Sequence, residues 1–179
     1  MKRVLFSLLV VTLVLLTPNA FAQFNTTGTT TVSVAVVAEA SIRIDTPTTT
    51  LSTAGTIFND YTGTTSFTYR IRTGKDSGTG NIQLLVGPDF SPAGGPSVGT
   101  PPSAGDTLSY NCTVSSSGTA CTGPLVASTT TPRNVATFGA NARSTKAGDS
   151  GSVSWILTND PVYETGTYSA TVTFTISAT

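Results

Sequence analysis

The feature that most constrains this chain is a two-residue alternation of apolar and hydroxyl side chains, with no segment of 3.6-residue period. Across residues 168–178 the even positions are Tyr168, Ala170, Val172, Phe174, Ile176 and Ala178, while Ser169, Thr171, Thr173, Thr175 and Ser177 fill the odd ones. Such a segment can bury one face and wet the other only as a strand. Phe67, Tyr69 and Ile71 repeat the pattern against Thr68, Arg70 and Arg72, as do Ile82, Leu84 and Val86. Further strands are predicted around Leu108, Tyr110, Cys112 and Val114, around residues 135–138, and around Val153, Trp155 and Leu157. Turn chemistry separates them at residues 74–80, Gly118, Pro132 and residues 146–151. Seven to eight strands in a chain of this length predict an all-β fold of two packed antiparallel sheets.

One alternating run is too long for a single strand. Val32, Val34, Val36, Ala38, Ala40, Ile42 and Ile44 share one parity, a span of about 43 Å at about 3.3 Å per residue, more than twice a usual strand. Two readings fit. Either Val32, Val34 and Val36 belong to an extension over residues 23–38, with a bend near Ala38 and Glu39 before the domain's own first strand, or one strand crosses between the sheets of a complete sandwich.

Residues 1–22 combine basic Lys2 and Arg3, an apolar run over residues 4–16 and a small-residue site at Ala20, Phe21 and Ala22. This is the pattern of a cleavable secretory signal, which predicts an exported protein of the periplasm, cell surface or extracellular space. The run falls short of the roughly 20 apolar residues that a spanning helix needs, so no membrane insertion is expected once the signal is removed. Residues 39–179 are expected to form one domain. Setting Lys2 and Arg3 aside leaves seven basic against nine acidic residues and no run of either sign, which speaks against a nucleic-acid partner. Cys112 and Cys121 are the only cysteines. In an exported chain they predict a disulfide, the rival reading of a metal site being poor with two thiols and no histidine.

Several motifs point toward chemistry and lead nowhere. Residues 148–151 spell GDSG, but the chain has no histidine to take a proton from Ser150. The DSG triplets at residues 76–78 and 149–151 lack the apolar flanks of a shielded aspartate dyad. Asp160 and Glu164 could serve as a glycosidase pair, yet their setting, NDPVYETG, is that of a tight turn. Trp155 alternates in phase with Val153 and Leu157 and reads as core rather than as a sugar-stacking platform; Tyr61 and Tyr163 lie in loop-like contexts. No phosphate loop, EF-hand or metal-ligand spacing occurs, so no catalytic residue, metal or cofactor is assigned and no enzyme is expected. Residues 87–106 hold five prolines and five glycines, a connection that is either a functional loop with Phe90 as its contact residue or a free surface excursion.

The signal, the Thr-rich alternating start, the cysteine pair and the ending GTYSATVTFTISAT together resemble subunits of chaperone-usher pili and the related spore coat protein U domain. The resemblance implies an immunoglobulin-like antiparallel β-sandwich of seven to eight strands that lacks one strand, supplied by the N-terminal extension of a neighbouring subunit. Gly166 matches that family's glycine fourteenth from the end; Ala178 stands where the family has tyrosine, and the cysteine pair is arranged differently. Carried onto this chain, Val32, Val34 and Val36 would be the donor strand, and Gly166, Tyr168, Ala170, Val172, Phe174 and Ile176 would form one wall of the acceptor groove. The implied function is a structural or adhesive subunit of a surface fibre or coat, with neighbouring subunits and a periplasmic chaperone as partners. The alternative is a monomeric extracellular module that binds a ligand, such as a carbohydrate, through the loop of Phe90.

Overall fold

A computed structural model describes residues 27–179 with the exception of Thr56 and Ser116; the signal expected over residues 1–22 lies outside the described residues. The chain divides into two units, Met1–Ala35 and Val36–Thr179. In the first, residues 27–35 belong to no strand. The second carries ten strands and no helix among its described residues: β1 (Glu39–Ile44), β2 (Ser52–Thr53), β3 (Tyr61–Arg72), β4 (Gly80–Val86), β5 (Leu108–Val114), β6 (Thr119–Ala120), β7 (Leu125–Val126), β8 (Arg133–Phe138), β9 (Asp149–Leu157) and β10 (Val172–Ala178). Seven of them have six or more residues. The total exceeds the expected seven to eight because β2, β6 and β7 have two residues each, too few for an alternation to show.

The strands form two antiparallel sheets packed as a sandwich. One has the order β1-β3-β9-β5-β7, with β2 also on β3, and the other the order β10-β4-β8-β6. Between them lie the inward residues that alternation selects: Phe67, Tyr69 and Ile71 of β3, Ile82, Leu84 and Val86 of β4, Leu108 and Tyr110 of β5, and Val153, Trp155 and Leu157 of β9, all buried. β8 departs from strict alternation, burying both Val135 and Ala136, because its register against β4 shifts between Ile82 and Gln83. Trp155 donates its indole N–H to the buried hydroxyl of Thr65 at 2.8 Å, and its ring lies 5.6 Å from that of Tyr110. It is a core residue, as its phase with Val153 predicts.

Two strand boundaries differ from expectation. The turn before β9 ends at Gly148, whose φ of +99° is open to glycine at little cost, and Asp149 already pairs with Tyr69 in the sheet. The last strand starts at Val172, although alternation begins at Tyr168. β4 ends at Val86, and Pro88 beyond it has no N–H to continue a ladder. Residues 169 and 171 keep only isolated bonds, to Ser91, Gly87 and Pro88.

The two lateral margins of the sandwich are built differently. At one, the two-residue strands β6 and β7 end the sheets. There a disulfide joins Cys112 of β5 to Cys121, whose own N–H bonds Val135 of the opposite sheet at 2.9 Å. The bridge therefore staples one sheet to the other. Closing so short a loop removes chain entropy worth about 2.5 to 3 kcal/mol. Replacing both cysteines by serine should lower the thermal midpoint by about 5 to 10 °C, read by calorimetry; an unchanged midpoint would mean the margin is closed by its strands alone. The other margin has no such closure.

Candidate functional site

The open margin is where β1 and β10 meet. They are the end strands of opposite sheets, and their Cα atoms approach within 8 Å. Ala40, Ile42 and Ile44 of β1 turn toward the core, as do Val172, Phe174, Ile176 and Ala178 of β10, yet each is only half-buried. Inward residues of the central strands β3, β4 and β9 are buried instead. The seam thus has an apolar lining without a layer above it. Its floor includes the Phe67 and Phe174 rings, 5.8 Å apart.

Backbone groups along the seam have the same periodicity. Residues 169, 171 and 179 direct their N–H and C=O groups to the β4 side, so alternation leaves those of residues 172, 174, 176 and 178 facing outward. On β1, Asp45 donates its N–H to Ser66 of β3 at 2.9 Å, which by the same rule turns the groups of residues 40, 42 and 44 to the seam. Both strands present free ladder positions at the residues that carry the half-buried apolar side chains. Neither holds a proline, and β10 has no charge, the devices by which proteins ordinarily blunt an edge.

Val32, Val34 and Val36 lie outside any strand and are 91%, 85% and 65% exposed. The long parity run of the sequence is broken before β1. At the break Arg72 of β3 donates through Nε to the carbonyl of Val37 at 2.7 Å and through Nη2 to Glu39 at 3.1 Å. β1 pairs with β3 over all six of its residues and with no strand of the other sheet. The crossing-strand reading is therefore not the arrangement found.

The C-terminal residues predicted as one groove wall separate into two groups. Val172, Phe174 and Ile176 line the seam with Ala170 half-buried just before them. Tyr168 instead lies on the β4–β5 connection: its ring covers Gly95 so closely that no Cβ would fit there, and its hydroxyl donates to the Glu164 carbonyl at 2.8 Å. Gly166 is exposed beside that hydroxyl. The β1 half of the seam was not picked out from sequence, although Ala40, Ile42 and Ile44 carry the same parity signal as β10.

The Pro- and Gly-rich connection is pinned rather than free. Asp89 gathers it, its carboxylate accepting from the backbone N–H groups of Phe90, Val98 and Gly99 and from the Ser97 hydroxyl at 2.8 to 2.9 Å. Burial alone would raise the Asp89 carboxyl, but these bonds outweigh it and hold it below the usual carboxylate range. Ser91 bridges to Ser169, and Glu164 donates its N–H to Gly94 at 2.8 Å. Phe90 is half-buried: it packs against the core and is still partly exposed. With Pro96, Pro102, Val162 and Glu164 it borders an open depression of about 510 Å³.

The remaining candidates occupy turns, apart from Ser150 in a strand. Asp160 accepts from the Val162 N–H at 2.8 Å, and a Ser103 hydroxyl and that N–H keep it below the ordinary carboxylate range. Ser150 sits in β9 with its hydroxyl 3.3 Å from that of Ser115, and Asp76 lies in the turn between β3 and β4. Among the described residues no helix is long and apolar enough to cross a membrane. No family model, no curated protein and no solved structure matches the chain.

Proposed function

We propose that this protein is an exported structural subunit that assembles with copies of itself by strand complementation, the seam between β1 and β10 accepting the segment around Val32, Val34 and Val36 of a neighbouring chain. The observation that carries this reading is the seam itself: two long edge strands side by side, half-buried apolar residues on both, and free backbone groups at the same positions. An extended strand with every second residue apolar meets all of these needs, its backbone completing the ladders and its side chains filling the lining. Val32, Val34 and Val36 have that spacing and are exposed.

The donor would come from another copy. To fill its own seam, the segment before β1 would have to reverse direction at Val37 and Ala38, and a two-residue hairpin turn needs Gly, Asn or Asp there. Full burial of each valine would contribute about 1.5 to 3 kcal/mol, and the completed ladders would add to this against an association cost of about 4 to 15 kcal/mol. The disulfide across the opposite margin is in keeping with an oxidising compartment outside the cytosol. In this reading the protein works by assembly and has no catalytic step.

Light scattering on residues 23–179, purified from an oxidising compartment, tests the reading. The expected result is a series of masses at multiples of one chain, persisting as a ladder in unboiled detergent samples and reduced to a single monomer by deletion of residues 23–37. A wild-type chain that is a stable monomer and unfolds reversibly would remove the proposal.

A further inference from the structure

At the end of the sandwich holding the β5–β6 and β8–β9 turns, an open cup of about 570 Å³ is lined by Ser115, Ser117, Asn141, Arg143, Thr145 and Asp149. Its wall on the β8–β9 side is held by bonds to the end of β3. Thr73 and Ala142 exchange bonds, the Thr73 N–H to the Ala142 carbonyl at 3.0 Å and the Ala142 N–H to the Thr73 hydroxyl at 2.8 Å. The same hydroxyl donates to the Gly139 carbonyl at 2.7 Å, and Asn141 donates its N–H to Gly74 at 2.8 Å. These bonds keep Asn141 at φ +59°, in the left-handed region, which asparagine tolerates better than other non-glycine residues. On the other wall Ser117 donates to Asp149 at 2.7 Å and meets the Tyr69 hydroxyl at 2.9 Å.

The charges in the cup select the class of ligand. Burial would raise the Asp149 carboxyl, but the bonds from Ser117 and from the Thr145 backbone and side chain outweigh it, so the group is ionised at neutral pH. Those bonds use part of the roughly four lone-pair positions of a carboxylate. Opposite in sign is Arg143, while the ion pairs among the described residues engage Arg43 and Arg72 instead. An anion entering the cup meets Asp149, and a cation meets Arg143. A neutral molecule that donates to one and accepts from the other satisfies both. Ala142 is the one apolar residue of the lining and no aromatic ring belongs to it, which leaves no platform for an apolar ligand.

We propose that this cup binds a neutral polyhydroxylated ligand, a sugar residue whose adjacent hydroxyls donate to Asp149 and accept from Arg143 and Asn141. None of the lining residues belongs to β1 or β10, so the proposal does not depend on the assembly reading. Without a stacking ring, affinity for one residue is on the order of 1 mM.

The test is titration of residues 23–179 with D-glucose, D-galactose and D-mannose to about 50 mM, far above that constant, followed by backbone amide NMR. The expected result is a saturable shift for at least one of them, confined to Ser115, Ser117, Thr145, Asp149 and residues 141–143. Asn141→Gly should weaken it about tenfold or more while leaving the thermal midpoint unchanged or raised, since glycine accepts the same backbone angles. Arg143→Gln should weaken it similarly, and Phe90→Ala should not. No saturable shift with any of the three sugars, or binding undiminished by Asn141→Gly and Arg143→Gln, would overturn the proposal. So would tenfold tighter binding of N-acetylneuraminate or glucosamine, because the cup would then select charge.

Discussion

Replacing Trp155 by alanine should lower the unfolding free energy by about 3 to 5 kcal/mol. Trp155 is 4% exposed, packed among the β3, β5 and β9 residues between the sheets. Truncation would empty the space beside Tyr110, whose ring lies 5.6 Å away, and would take the indole donor from Thr65. Thr65 keeps a second partner in Thr49, at 2.6 Å, so the loss is chiefly one of packing. Trp155→Phe separates the contributions: it retains most of the ring and should cost about 1 to 2 kcal/mol, the scale of one buried hydrogen bond with some lost contact. Urea unfolding followed by far-ultraviolet circular dichroism reads both, since the chain has one tryptophan and both variants remove its emission. A loss below about 1 kcal/mol for the alanine variant would mean that the two sheets do not close on this ring.

The pattern that makes Trp155 legible as core is the one that makes most of the fold legible. Phe67, Tyr69 and Ile71, or Ile82, Leu84 and Val86, announce a buried face because large apolar residues recur at every second position, with Thr68, Arg70 and Gln83 between them and Leu85 the one apolar exception. Period alone says nothing about where a strand finds a partner. Residues 32–44 keep one parity throughout, yet pairing starts at Glu39, where β3 and the Arg72 side chain supply partners. Alternation at Tyr168 and Ala170 likewise precedes β10, because β4 ends at Val86 and no ladder remains to join. Asp89 ties the β4–β5 connection through atoms nine and ten residues ahead of it, a range at which composition gives no signal. The polar cup was hidden for the same reason: Ser117 lies in the β5–β6 connection, while Asn141, Arg143 and Asp149 lie between β8 and the start of β9, and only the ends of these strands bring the two stretches together. Both halves of the seam had the right periodicity, but that they lie side by side follows from which strands end the sheets.

Changing Ile176 to aspartate should leave the monomer folded and reduce assembly at least about a hundredfold. In the single chain Ile176 is half-buried on an edge strand, where a carboxylate can turn toward water. In an assembled pair the inserted strand would cover it, and burying an unpaired charge costs several kcal/mol, each 1.4 kcal/mol being a factor of ten. Thr175→Asp is the matched control. Its side chain is exposed on the outer face and its backbone pairs with Gln83 of β4, so it adds the same charge one residue away without entering the seam; assembly should change by less than about threefold, since surface charges are worth little. Should Ile176→Asp prove unstable, Ile42→Asp asks the same question from β1, whose inward face is equally half-buried. Sedimentation velocity measures the outcome, with circular dichroism confirming the fold of each variant. If both seam variants are folded and assemble as the wild type does, subunits join elsewhere, and the half-buried lining of β1 and β10 is simply the weather side of a complete domain. If they stay monomeric while Thr175→Asp assembles, the effect belongs to the inward face alone, because the added charge is the same in all three and Thr175 shares its strand with Ile176.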